Sequence, residues 1–104
     1  MYKLEYLPVA RHDMVEIVKY ISHVLYNPSA AEKLAEEMIQ AAERLTELPY
    51  IYPVHRTIKP LKQEYRKLII KNYILFYYVD EKEKKVVVAR AVYSRRDYEK
   101  LFDG

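Results

Sequence analysis

Cysteine is absent and glycine occurs only once among the 104 residues. Without cysteine there is neither a disulfide framework nor a thiolate metal site, and a chain of this kind fits a reducing compartment, so the expectation is cytoplasmic. With a single glycine there is no Gly-rich loop to cradle phosphates and no dinucleotide fingerprint, and no cofactor is expected. No apolar run approaches the length that spans a bilayer, so no membrane association is expected. The opening Met1-Tyr2-Lys3-Leu4-Glu5-Tyr6 lacks the long apolar core of a signal peptide. His12, His23 and His55 are scattered and none stands at ligand spacing with a second histidine or carboxylate, so no metal is expected. No serine sits in a nucleophile-elbow context.

What is present is charge, unevenly distributed. Lysine and arginine together number 18 against 15 aspartates and glutamates, a net +3. Residues 11–48 hold four basic and seven acidic side chains, a local −3. Residues 54–72 hold Arg56, Lys59, Lys62, Arg66, Lys67 and Lys71 against Glu64 alone, a local +5. An acidic half beside a basic half points to a polyanionic or acidic partner on one face only. At 104 residues the chain makes one domain, residues 1–104, large enough to bury a core without staples.

In chain order, residues 2–6 alternate and predict a short strand, which Pro8 ends. Met14, Ile17, Val18, Ile21, Val24 and Leu25 recur at helical spacing and predict a helix over residues 9–25. Asn27-Pro28 is a helix-start signal, cap followed by a residue that needs no donor. Ala31, Leu34, Ala35, Met38, Ile39, Ala42 and Leu45 form the stripe of a second helix that stops before Pro49, and Glu32, Glu36, Glu37 and Glu43 form its solvated face. The two helices should pair as an antiparallel hairpin. Residues 49–63 hold three prolines and no periodicity, a long connection of the kind that is functional when it is ordered.

Two strands follow, joined at Lys71-Asn72. The first alternates, with Arg66, Leu68 and Ile70 on one face and Lys67 and Ile69 on the other. The second, through Tyr73-Ile74-Leu75-Phe76-Tyr77-Tyr78-Val79, is apolar on both faces, as a strand covered on both sides must be. Residues 80–85 predict a charged turn whose role is solubility. Val86-Val87-Val88-Ala89-Arg90-Ala91-Val92-Tyr93 predicts the last strand, and Ser94 can cap a short terminal helix that docks Leu101 and Phe102. The fold class is therefore α+β: a strand, a helical hairpin, a three-strand antiparallel meander and a short C-terminal helix.

The chemistry left to such a chain is that of a basic, tyrosine-bearing surface. Arg66 and the segment from Arg90 to Arg95 could flank one sheet face and hold a phosphate backbone, with tyrosine rings free to stack on bases. Cleavage of RNA without a metal requires activation of the 2′-hydroxyl, cations for the charged phosphorane and a proton donor for the leaving oxygen, which Arg, Lys and Tyr can supply. A structural use is open for the same residues: Arg90 paired with a helix glutamate, and Arg95-Arg96-Asp97 as a capped, salt-bridged terminus.

The order of elements, the opening Tyr2-Lys3-Leu4-Glu5-Tyr6-Leu7-Pro8-Val9-Ala10-Arg11, the Asp13, Ile17, Tyr20 and Ile21 set, and the run from Tyr65-Arg66 to Tyr98 resemble the RelE/ParE superfamily of type II toxin–antitoxin toxins. The resemblance implies a growth-arresting, plasmid-stabilising toxin silenced by a cognate antitoxin, with one of two targets. RelE-like members cleave mRNA in the ribosomal A site; ParE-like members inhibit DNA gyrase without catalysis. The first reading makes Arg66, Arg95 and Tyr98 catalytic and Lys59, Lys62, Lys67, Lys71, Arg90 and Arg96 RNA-binding. The ribosome and its mRNA are the leading expectation for the target. Leu68 and Ile74 stand where RelE-like enzymes often carry basic residues, which favours the gyrase alternative.

Overall fold

The computed structural model describes residues 1–57 and 61–96. Strand β1 (Lys3–Tyr6), helices α1 (Pro8–Lys19) and α2 (Pro28–Arg44), and strands β2 (Arg66–Ile70), β3 (Tyr73–Asp80) and β4 (Lys85–Tyr93) follow in that order. This is the α+β arrangement expected from the patterning. The expected terminal helix and the docking of Leu101 and Phe102 lie outside the described residues.

The sheet order is β1-β4-β3-β2. β2, β3 and β4 form the antiparallel meander, and β1 joins β4 in parallel. Two parallel neighbours need a crossover, and the helical hairpin begins it. Ala31, Leu34, Met38, Ala41, Ala42 and Leu45 of the α2 segment pack with Leu68, Ile70, Leu75, Tyr77, Val86 and Val88 in one core. Ile74, Phe76 and Val92 form a second, smaller cluster. β3 is thus buried on both faces from Ile74 to Tyr77. β2 behaves as its alternation predicts: Leu68 and Ile70 are buried and Ile69 is 64 % exposed. Between β3 and β4 the register steps from Tyr77–Val88 to Phe76–Arg90, which leaves Ala89 without a counterpart. One extra residue of this kind bends a strand and re-aims the side chains that follow it.

The first helix differs from expectation. Instead of one helix to residue 25, α1 ends at Lys19 and the chain widens into a π-turn over Tyr20–Val24. The Leu25 N–H donates to the Tyr20 carbonyl at 3.1 Å and the Asn27 N–H to the Ile21 carbonyl at 3.1 Å. Asn27 then caps α2 as its sequence suggests, its side chain accepting from Ala30 N–H at 3.2 Å.

The scarcity of glycine has a local consequence. The single glycine is Gly104, so left-handed backbone must fall to other residues. Tyr26 between the helices, Lys71 in the β2–β3 turn and Lys84 in the β3–β4 turn all have φ 53°. For a bulky side chain this conformation is strained, and glycine is the usual occupant after a helix end. Tyr26 is 87 % exposed, so its ring repays little of that strain inside the chain. Tyr26→Gly is therefore expected to stabilise the dilute protein by about 0.5–1 kcal/mol, whereas the same change at Tyr20 should destabilise it; urea titration of both variants checks this.

Candidate functional site

The connection after α2 is not a free loop. It is stitched down as a strap along the outer edge of β2. Val54 bridges Arg66 in antiparallel sense. The His55 N–H donates to the Tyr65 carbonyl at 2.7 Å and the Lys67 N–H to the Pro53 carbonyl at 3.0 Å. The buried Tyr77 hydroxyl donates to the Pro49 carbonyl at 2.8 Å, and burial raises that phenol above its ordinary pKa. The His55 ring, itself buried, meets Phe76 edge-on at 5.1 Å. The strap thereby extends the apolar cover of β3.

Arg66 pins this strap. Its guanidinium donates to the Tyr52 carbonyl at 2.7 Å and the Tyr50 carbonyl at 3.4 Å. It pairs with Glu64 at 3.3 Å and lies 5.0 Å from the centre of the Tyr50 ring. Its side chain is only 15 % exposed. The Tyr50 hydroxyl in turn donates to Glu81, which also receives the Tyr2 hydroxyl and the Lys84 ammonium, the last at 2.6 Å. One carboxylate therefore joins the N-terminus, the strap and the β3–β4 turn. The turn has a structural use that its composition had suggested to be solubility alone. Lys84 foremost, then the Tyr2 and Tyr50 hydroxyls, hold the Glu81 carboxyl at a pKa of about 2. The same contact raises the Tyr50 phenol and the Lys84 ammonium.

Arg90 is also engaged within the chain. Its Nε and Nη2 donate to the two Asp13 oxygens at 2.7 and 3.0 Å, the bidentate fork that guanidinium and carboxylate favour. Asp13 accepts the Ala91 N–H at 3.0 Å as well. Both side chains are largely buried, at 10 % and 19 % exposure, so α1 is riveted to β4 next to the unpaired Ala89. In place of the expected helix glutamate, the structure gives Arg90 an aspartate of the first helix, Asp13.

The remaining expected residues divide. Lys71 pairs with Glu37 at 3.3 Å, tying the β2–β3 turn to α2. Lys67 lies on β2 and is half-buried. Lys62, Arg95 and Arg96 are exposed and make no ion pair among the described residues, and Arg56, which was not singled out beforehand, joins them. Arg56 and Lys62 line an open cavity of about 330 Å³ with His55, Thr57 and Glu64. Lys59 and Tyr98 lie outside the described residues. The structure therefore does not assemble Arg66 and Arg90 into one exposed basic face: each guanidinium is turned to a partner of its own. The described residues hold no group of three or more histidines and carboxylates able to take a metal, and no helix among them is long and apolar enough to cross a membrane. Sequence reasoning passed over Asp13 as a rivet and Glu81 as a junction. Tyr2 and Tyr50, each at the margin of an apolar segment, were the available signal for the second.

The family model described as ParE toxin of the type II toxin–antitoxin system parDE matches residues 4–98. The chain belongs to the ParE toxin family. No curated protein matches it. Among solved structures, a chain of the chromosomal ParDE system of P. aeruginosa superposes with a TM-score of 0.71 at 18 % identity, covering 89 % of this chain and 96 % of that one. A chain of the RelBE2 complex of Mycobacterium tuberculosis gives 0.64 at 17 % identity, with 88 % and 96 % covered. The isolated RelE toxin of E. coli gives 0.58 at 17 % identity, with 99 % and 97 % covered. These likenesses establish the shared RelE/ParE fold, in agreement with the resemblance read from the sequence.

In this ParE-family toxin the two ion-paired junctions can be tested separately. Asp13→Ala strands a largely buried guanidinium and the Ala91 N–H, at an expected cost of about 3 kcal/mol; adding Arg90→Met should recover part of it in denaturant titrations. Glu81 works through a depressed folded-state pKa, so its stabilisation is complete above the ordinary value of 4.5 and fades as pH falls toward 2. The melting-temperature gap between wild type and Glu81→Gln should accordingly be steady from neutral pH to about 5 and close below 4.5.

Proposed function

We propose that this toxin acts by binding rather than by cleavage, as an inhibitor of DNA gyrase in the cytoplasm, and that a cognate antitoxin silences it. The observation that carries this reading is the state of Arg66. The arginine that the resemblance sets on a catalytic face is held by two backbone carbonyls, a carboxylate and a ring. To grip a scissile phosphate it would have to release the strap. Arg90 is tied to Asp13 in the same way, and Ile74, at a position where RelE-like enzymes often carry a cation, is 3 % exposed. The closer superposition on the ParDE chain than on the RelBE2 and RelE chains supports the same choice.

The second reading, a ribosome-dependent endoribonuclease, is favoured by one observation. Arg56, Lys62, Arg95 and Arg96 are exposed cations without ion pairs among the described residues. Cations so placed can bind a phosphate backbone and stabilise a phosphorane. In that mechanism Arg95 and Tyr98 would carry the chemistry, and Lys59, Lys62, Lys67 and Arg96 would hold the RNA, with Lys71 joining them only on leaving Glu37.

The purified toxin is expected to block supercoiling by gyrase and to leave mRNA on translating ribosomes uncut. A supercoiling assay and toeprinting on the same preparation measure both. A-site cuts with unimpaired supercoiling would replace this reading with the second. Co-expression of the antitoxin should restore growth in either case.

A further inference from the structure

The tip of the helical hairpin presents an apolar surface that the described residues leave uncovered. Tyr20 is 52 % exposed, Val24 57 %, Leu25 55 %, Tyr26 87 % and Tyr93 42 %. Of these, Tyr20, Leu25 and Tyr93 line a groove of about 560 Å³ walled by Ile17, Tyr20 and Leu25 on one side and by Tyr73 and Tyr93 on the other. Tyr73 and Tyr93 meet edge-on at 5.7 Å, which gives that wall a rigid aromatic floor. Two departures from regular backbone build the tip, the π-turn and the left-handed Tyr26. Strain of this kind persists where the exposed geometry has a use, and tyrosine is among the residue types enriched at interface hot spots.

From this geometry we propose that the groove is a self-association site whose occupant is a second copy of the same chain, with Tyr26 of each copy seated in the groove of the other. The patch has both parts that a two-fold interface requires. Tyr26 projects as a knob, and the hole, lined by its neighbour Leu25, lies beside it. An isologous contact places such a pair against its own copy, so each knob meets a hole. The charges at the rim agree. Glu16 stands on the α1 wall, with only a 4.0 Å contact to Lys19. The β4 wall runs from Tyr93 into Arg95 and Arg96, which have no ion pair among the described residues. With the two-fold axis along the groove, the α1 wall of one copy faces the β4 wall of the other. Glu16 then meets the arginine segment twice. The proposal is independent of whether the toxin's target is gyrase or the ribosome.

Sedimentation equilibrium of the chain free of other proteins, over about a hundredfold range of concentration, is the test, because mass action makes a self-association visible as a rising mean mass. A dimer is expected to form as concentration rises. Tyr26→Asp and Leu25→Asp should each raise the dimer dissociation constant at least tenfold while the circular-dichroism melting curve of the dilute protein shows no loss of stability. Glu16→Arg and Arg95→Glu should each weaken the dimer, and their combination should restore it, which a merely structural effect would not do. A chain that remains monomeric throughout, a dimer indifferent to Tyr26→Asp and Leu25→Asp, or a monomer that uses Tyr26 only to capture the antitoxin would each overturn the proposal.

Discussion

The structure depends on covering β3. Ile74, Leu75, Phe76 and Tyr77 are all buried to 3 % exposure or less, and successive side chains of a strand point to opposite faces. Both faces must therefore be shielded from water. The helical hairpin covers one and packs Leu34, Met38 and Leu45 against Leu75 and Tyr77. On the other, His55 of the strap packs against Phe76. The element order follows from this need. The β1–β4 pairing sends the chain across the sheet through α1 and α2, and the strap brings it back to the far edge, where β2 can begin.

Polar groups then decide how firmly each cover is held. Three junctions do this work at different depths. Asp13 and Arg90 rivet α1 to β4 in a largely buried, bidentate pair. Arg66 and Tyr77 hold the strap through its carbonyls, which would otherwise lack donors beside an apolar sheet. Glu81 closes the outer end of the strap with two tyrosine hydroxyls and a lysine, at the solvent-exposed surface, where each contact contributes little and the set matters more. A positive net charge therefore does not translate into a positive working face. Arg66, Lys71 and Arg90 are engaged within the molecule, whereas Arg56, Lys62, Arg95 and Arg96 are exposed cations with no ion pair among the described residues, open to an outside partner.

The same economy appears in the backbone. With Gly104 the only glycine, the tight reversals at Tyr26, Lys71 and Lys84 are made by residues with side chains. Lys71 and Lys84 use theirs, pairing with Glu37 and Glu81. Tyr26 does not, and it stands beside an uncovered groove.

Much of the architecture was written in local patterns. The two-fold alternation of residues 66–70, the doubly apolar run of β3, the Asn27-Pro28 cap and the stripe of α2 are short-range signals, and each element formed where its pattern lay. The superfamily resemblance was legible for the same reason, since it rests on residue runs within those elements, above all the run from Tyr65 to Tyr98. The π-turn after Lys19 was not, because Ile21, Val24 and Leu25 fit an ordinary helical period equally well. What the sequence by itself determined is thus the fold class, the helical hairpin and the meander. Tertiary structure alone decided which cations are free. Asp13 and Arg90 are 77 residues apart and Tyr2 and Glu81 are 79 apart; no periodicity can register such distances. Whether an arginine grips a carbonyl, a carboxylate or a foreign phosphate depends on what the folded chain brings within about 3 Å of it.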